Sequence, residues 1–487
     1  MDSSYLTQAI LECEQALENQ LDHPESWQEA FRNLGNLLQG MGQFERAIIW
    51  HSLALENQPN LVEVYGQLGE LYVGEENWSA ALKSFETALK HQPNSVQIYA
   101  SLAQIHGKLQ QRDAEMECWY RATELNPNLV NSQGYYKLAK AFEHKGKLEK
   151  AIIFYQRASE EEKFFIPASY DLGEIYLRQG KLELAHTTYE KILLAAPDEA
   201  RAQYKLGTIY LQKKRFEEAI DYFRQTIKNA PEFPWAYRDL VKTFLQLQKW
   251  DEAIATCYAI LNLVEEYPWV YAQLGNALRS KGRIAEAAAN FQKACASRGW
   301  QECVEHDYFF TNDIFSYRIP LWETHLQFLL QRENLQVLQV GCFEGMSACW
   351  LLDRILIHPQ DKLTCIEPKL TAKFKENIGK TQAESKVTLL EGDNHKLMKS
   401  LPSNSFDLVN LQDKRKLTAH AQKNAALAWQ LLKTGGVIVF NDYGWSNPGY
   451  PEQNPTQGIE QFLDSVKGQW ELIHRALPAS QLMILKK

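Results

Sequence analysis

Between residues 25 and 299 the apolar positions fall into paired stretches of helical period, and the pairs recur at a fixed spacing. A leucine followed by a small residue marks each copy, the small residues being Gly35, Gly69, Ala103, Ala139, Gly173, Gly207, Val241 and Gly275. They stand 34 residues apart, with one step of 36 between Ala103 and Ala139. Twelve residues further on comes an alanine (Ala47, Ala81, Ala151, Ala185, Ala219, Ala253, Ala287), replaced in the third copy by Glu115. Four residues beyond that stands a ring in six copies (Phe85, Trp119, Tyr155, Tyr189, Phe223, Phe291), with His51 and Cys257 in the other two. Pro59, Pro93, Pro127, Pro197 and Pro231 close five copies. Small residues let two helices approach closely, the ring fills the wedge they leave, and proline, lacking an N–H, ends one helix and starts the next. A single helix pair cannot bury its own apolar stripe, so the copies must stack. Residues 5–20 read as a half-copy, and residues 1–24 are expected to form a capping helix for that stack.

The period fails after Cys295, and from about residue 300 to 487 the pattern alternates between short apolar runs and amphipathic stretches. Strands are expected at 335–340, 361–368, 386–393, 405–412 and 436–445, with helices between them. Such alternation predicts a mostly parallel sheet wrapped by helices. Two final strands, WELIHRAL and SQLMILKK, have no helix between them and predict an antiparallel hairpin at one edge.

Composition narrows the field of functions. With 487 residues the chain exceeds one domain, and 45% hydrophobic with 23% charged residues is an ordinary globular balance. A net charge of −8 provides no global field for nucleic acid, so none is expected as a partner. No run of 18 apolar residues exists, so no membrane span is expected. The first residues carry neither the basic start nor the apolar block of a secretory signal, and the eight cysteines form no CxxC pair. Both point to reduced thiols in a cytoplasmic protein and away from structural zinc.

Chemistry enters at 335-LQVLQVGCFEGMSACW-350, a strand, a glycine turn and a helix. A phosphate loop would need a second glycine at Met346 followed by lysine, and a dinucleotide turn would need glycine at Phe343. The remaining spacing, Gly341-x-x-x-Gly345, suits a nucleoside ligand without phosphate, which S-adenosylmethionine is. Glu367, 26 residues after Gly341 at the tip of the second strand, is placed to accept ribose hydroxyls, and Asp393 at the third tip to sit beside an adenine amine.

The repeat resembles the tetratricopeptide repeat, in about eight copies. The second half is similar to class I S-adenosylmethionine-dependent methyltransferases, and most to a bacterial group with W-E, FLEIG-x-FEG-x-S-x-x-WLL, GD, FDFIYIDGSH, LLKPGG and DDY motifs. The counterparts are Trp322-Glu323, VLQVGCFEGMSACWLL, Glu391-Gly392-Asp393, FDLVNLQDKR, LLKTGG and Asn441-Asp442-Tyr443. The resemblance implies an all-α tetratricopeptide superhelix over residues 25–299, then an α/β Rossmann-like methyltransferase domain over 300–487. It implies Gly341, Glu344, Gly345, Glu367 and Asp393 as cofactor contacts. Asp442 is the candidate base, Tyr443 and Trp445 would wall the acceptor site, and Asp413, Lys414 and Arg415 would line its opposite lip. The array implies a protein or peptide partner in its concave groove, where Arg32 and Asn36 could hold a carboxylate. The methyl acceptor is not identified by any of these residues.

The chain departs from the group where Gln339, Gln412 and Asn441 stand in place of acids and Arg415 in place of histidine. Neutral oxygens weaken a divalent site, so no tightly held metal is expected. Two functions stay open: a methyltransferase whose array recruits a partner or substrate, and a non-catalytic scaffold carrying a degenerate methyltransferase-like domain.

Overall fold

The computed structural model describes residues 28–487 apart from 58, 60, 161–164, 413–414, 446, 448, 451 and 477–480. The cap expected over residues 1–24 lies outside the described residues. The chain divides into two compact units, residues 1–202 and 203–487. Among the described residues, sixteen helices from Gln28–Gly40 to Ile284–Ala296 form eight consecutive antiparallel pairs. None is long and apolar enough to cross a membrane.

The repeat signature maps onto one contact. A β-carbon on Gly35, Gly69, Gly173, Gly207 or Gly275 would come within 2.4 to 2.6 Å of His51, Phe85, Tyr189, Phe223 or Phe291. The ring of each second helix therefore lies over the small residue of its own first helix. The companion alanines from Ala47 to Ala287 are fully buried. Arg32 reaches Glu63 of the next copy at 3.7 Å, which leaves it paired with protein.

The last repeat helix runs directly into a connector rich in aromatic residues. Cys295 joins Trp300, Phe315, Trp322 and Trp350 in one apolar cluster. The Trp300 indole and Tyr308 hydroxyl donate to the buried carboxylate of Asp353 at 2.9 and 3.0 Å. Gln292, from the helix Ile284–Ala296, donates to the Tyr308 carbonyl at 2.7 Å. The final repeat and the α/β domain thus share a core.

Among the described residues seven strands follow: β1 Gln336–Val340, β2 Lys362–Glu367, β3 Val387–Glu391, β4 Phe406–Leu411, β5 Leu432–Phe440, β6 Trp470–Ala476 and β7 Gln481–Lys486. Their order is β3-β2-β1-β4-β5-β7-β6. β1 to β5 are mutually parallel, and β7 runs antiparallel between β5 and β6. The expected hairpin is therefore present, with β7 on its inner side. β5 begins and ends earlier than its pattern suggested, and its end is set by the turn at 441–444, where Gly444 has φ +89°. Alternation splits the sheet's apolar residues between two faces. Val337, Cys365, Leu408 and Val439 face the connector cluster, while Leu338, Ile366, Val409 and Phe440 face the helices Thr418–Leu431 and Pro455–Ser465.

Candidate functional site

The strand order reverses between β1 and β4, and ligands of open parallel sheets gather outside the carboxyl ends of the strands at such a reversal. Gly341 leaves β1 at φ +82°, where a β-carbon would stand 1.9 Å from the Gln412 carbonyl oxygen at the tip of β4. No side chain fits there, so glycine sets how closely the two strand tips meet. The turn continues through Phe343, also at positive φ (49°), to Gly345 at φ +91°, which starts the helix Met346–Arg354.

Glu367 closes β2 and is 2% exposed. Its Oε2 accepts the N–H groups of Cys342 at 2.6 Å and Phe343 at 3.3 Å, which fixes the turn against the second strand. A cavity of about 360 Å³ opens beside it, lined by Gly341, Glu367, Pro368, Asp393, Asn394, Gln412 and Arg415. Asp393 caps the helix Asn394–Ser400 by accepting the Lys396 N–H at 3.0 Å, and that bond holds its carboxyl below the usual range. Asn394 is 4% exposed, and its Oδ1 meets no donor among the described residues. A buried, unpaired acceptor at a cavity wall is satisfied by a donor from water or from a ligand. Nothing in the pattern marked Asn394 beyond its place after Gly392-Asp393.

A second cavity, about 540 Å³, adjoins the first at Gln412 and includes Arg318, Phe343, Lys416, Asn441, Asp442 and Trp445. The Asp442 Oδ1 is 3.9 Å from the Lys416 ammonium, which also lies over the Trp445 ring at 4.5 Å. Of the expected residues, Gly341, Glu367, Asp393 and Arg415 converge on the first cavity, and Asp442 and Trp445 on the second. Asp413 and Lys414 lie outside the described residues.

Four residues take other positions. Arg415, expected on the acceptor lip, lines the first cavity and not the second, and Gly345, expected to touch the cofactor, lines neither. The Glu344 carboxylate accepts both the N–H and the hydroxyl of Thr311 at 2.6 Å, so it anchors the connector and lines a separate space of about 260 Å³ with Arg279. Tyr443, expected on the acceptor wall, is fully buried and donates to Glu460. Burial and that carboxylate push its hydroxyl up to about 12. Its side chain follows the turn inward, against the helix Pro455–Ser465.

Two of the three neutral residues standing where acids were expected, Gln339 and Asn441, join Asn410 and Gln481 in a chain of amides across the sheet. Gln481 donates to Asn441 at 2.6 Å, Asn441 to Asn410 at 2.5 Å, Asn410 to Gln339 at 2.5 Å, and Gln339 to the Gly341 carbonyl at 2.8 Å. All four side chains are essentially unexposed. Asn441 therefore spends its amide inside β1, β4 and β7, which corrects its expected place as a weak oxygen donor facing the cleft. Among the described residues, no three His, Cys, Asp or Glu side chains come together as a metal site would require.

Models of the tetratricopeptide repeat match residues 67–128 and 170–234, 210–264, and 132–163 and 270–298. A methyltransferase domain model matches residues 338–443. No curated protein matches the chain. Among solved structures, the crystal structure of MamA protein is 22% identical over 35% of this chain and 93% of its own, with a TM-score of 0.33. The C-terminal part of a TPR repeat-containing protein from Cytophaga hutchinsonii is 17% identical over 49% of this chain and 98% of its own, with a TM-score of 0.37. The chain carries tetratricopeptide repeats followed by a methyltransferase domain.

Proposed function

We propose that the protein is an S-adenosylmethionine-dependent methyltransferase whose repeat array recruits a protein partner or substrate. The observation that carries this reading is the buried Glu367 carboxylate beside the Gly341 turn, on a cavity at the sheet's reversal point. The residues lining the cavity suit the cofactor: Glu367 for ribose hydroxyls and the Asn394 Oδ1 for the adenine amine, beside the turn at Gly341. When bound, the cofactor supplies an activated methyl on a sulfonium. The chain's own part is position and proton handling. Asp442, whose side chain is 16% exposed in the adjoining cavity, is the candidate to take a proton from an acceptor there.

Calorimetry with S-adenosylhomocysteine on the full chain tests the reading. Glu367→Gln keeps an acceptor for the Cys342 N–H and removes the charge offered to the ribose, and it should weaken binding by tenfold or more. Equal affinity in both proteins would remove Glu367 from the site. Recruitment is tested by comparing what the full chain captures before and after Trp235→Ala, which trims a ring 51% exposed on a first helix of the array.

The amide chain supports a second reading, a scaffold with a degenerate domain, because it replaces charge with neutral pairing where the resembling group has acids. Absence of S-adenosylhomocysteine binding at millimolar concentration would favour the scaffold.

A further inference from the structure

Arg318 lies in the second cavity, and neither the methyl donor's nucleoside nor Asp442 accounts for it. Its residue is 6% exposed. One nitrogen, Nη2, donates to the Asn441 carbonyl at 3.1 Å, and its buried Nε meets no acceptor among the described residues. A guanidinium offers five donors in a fixed fork, and a buried one is costly unless an anion or a full set of acceptors answers it. Among the described residues the cavity has two acids, each with another partner. Asp313 accepts the N–H groups of Phe315 and Ser316 at 3.2 and 2.8 Å and also the Ser316 hydroxyl. Asp442 faces Lys416.

We infer that Arg318 is the seat for a carboxylate of a small molecule bound in the cleft. A planar carboxylate matches the fork in shape. Among the described residues the cavity sets two acids, Asp313 and Asp442, against two bases, Arg318 and Lys416, which favours a single negative charge over a phosphate dianion. Arg318 touches the first cavity nowhere, so the carboxylate lies on the far side of Phe343 and Gln412 from Asn394. Two sources present that chemistry at that place: the amino-acid end of the methyl donor, or the methyl acceptor. Both sources rest on the methyltransferase reading; the carboxylate seat itself does not, and benzoate tests it alone.

The test uses the full chain and its Arg318→Gln and Arg318→Lys variants. S-adenosylhomocysteine and 5′-methylthioadenosine, which lacks the amino-acid end, are titrated by calorimetry. Benzoate is titrated by ligand-observed NMR, with and without S-adenosylhomocysteine. If the carboxylate is the donor's, Arg318→Gln lowers S-adenosylhomocysteine affinity thirtyfold or more and leaves 5′-methylthioadenosine unchanged. If it is the acceptor's, both nucleosides bind as before and benzoate binding is lost. Arg318→Lys, which keeps charge without the fork, should recover part of either loss, and it carries the test if Arg318→Gln does not fold. Unchanged binding of all three probes in Arg318→Gln, an equal loss of all three, or failure of the unmodified protein to bind benzoate together with nucleoside binding that Arg318→Gln leaves unaltered, would overturn the proposal. Should the unmodified protein bind neither nucleoside, the cofactor reading fails and benzoate alone decides Arg318.

Discussion

The ring of Phe85 lies where a β-carbon on Gly69 would stand, 2.6 Å away, while Gly66 in the same helix has nothing within 4 Å. The two glycines, three residues apart, should respond to alanine with opposite sign. Gly69→Ala overpacks a buried contact and should cost about 1–3 kcal/mol. Gly66→Ala relieves a helix of a flexible residue and should stabilise by about 0.5–1 kcal/mol. Thermal or urea melts of the two variants check this, and destabilisation by both would mean that the face around Gly66 is not open.

His51 occupies the ring position of the first copy, with neither ring nitrogen hydrogen-bonded among the described residues. Burial lowers its pKa from 6.5 to about 4. The folded protein therefore binds this proton less readily than the unfolded chain. The stability His51 provides is complete above pH 6.5 and is lost progressively as pH falls toward 4. The loss is at most roughly 3 kcal/mol. His51→Phe should flatten the fall of the melting temperature between pH 6.5 and 4. Identical pH profiles for the two proteins would show that the imidazole is accessible to protons in the folded state.

Asn394 should act through the adenine amine. S-inosylhomocysteine carries an oxygen in place of that amine, so the unmodified protein should bind it more weakly than S-adenosylhomocysteine, by about tenfold for one hydrogen bond. Asn394→Leu should erase the preference, lowering affinity for the adenosyl compound while leaving the inosyl compound nearly unchanged. A preference that survives the substitution would assign amine recognition to another group.

Returning an acid to the end of β5 should not restore a charged site. In Asn441→Asp the carboxylate would still accept from Gln481 but could no longer donate to Asn410. Two acceptors would then face each other out of water, at a cost of about 2 kcal/mol or more at neutral pH. The new carboxyl would hold its proton more tightly folded than unfolded, so the deficit against the unmodified protein should shrink as pH falls from 7 toward 4. A melting temperature equal to that of the unmodified protein at pH 7 would show that the amide chain tolerates charge.

The repeat array was legible because its contact is written into the spacing: Gly69 and Phe85 are sixteen residues apart, and the same offset recurs in Gly173 with Tyr189 and Gly275 with Phe291. The sheet was legible from alternation, and the turn at Gly341 from the residues it lacked. Orientation was not. Glu344 and Tyr443 sit beside true cavity residues, but a one-residue change of direction sends Glu344 to Thr311 and Tyr443 to Glu460. Arg318 lies in a stretch with no period to read. Gln339 and Asn441 read as lost acids, because their partners Asn410 and Gln481 come from other strands and meet them only once the register is set.

The helix Ile284–Ala296 gives the array no bare end, since Cys295 and Gln292 are already engaged by Trp300 and the Tyr308 carbonyl. Solenoids need a terminal lid with a polar outer surface. Here the α/β domain is that lid. Severing the chain near residue 300 would uncover a greasy seam on both products, so truncation at that point would report insolubility before it reported any loss of recruitment.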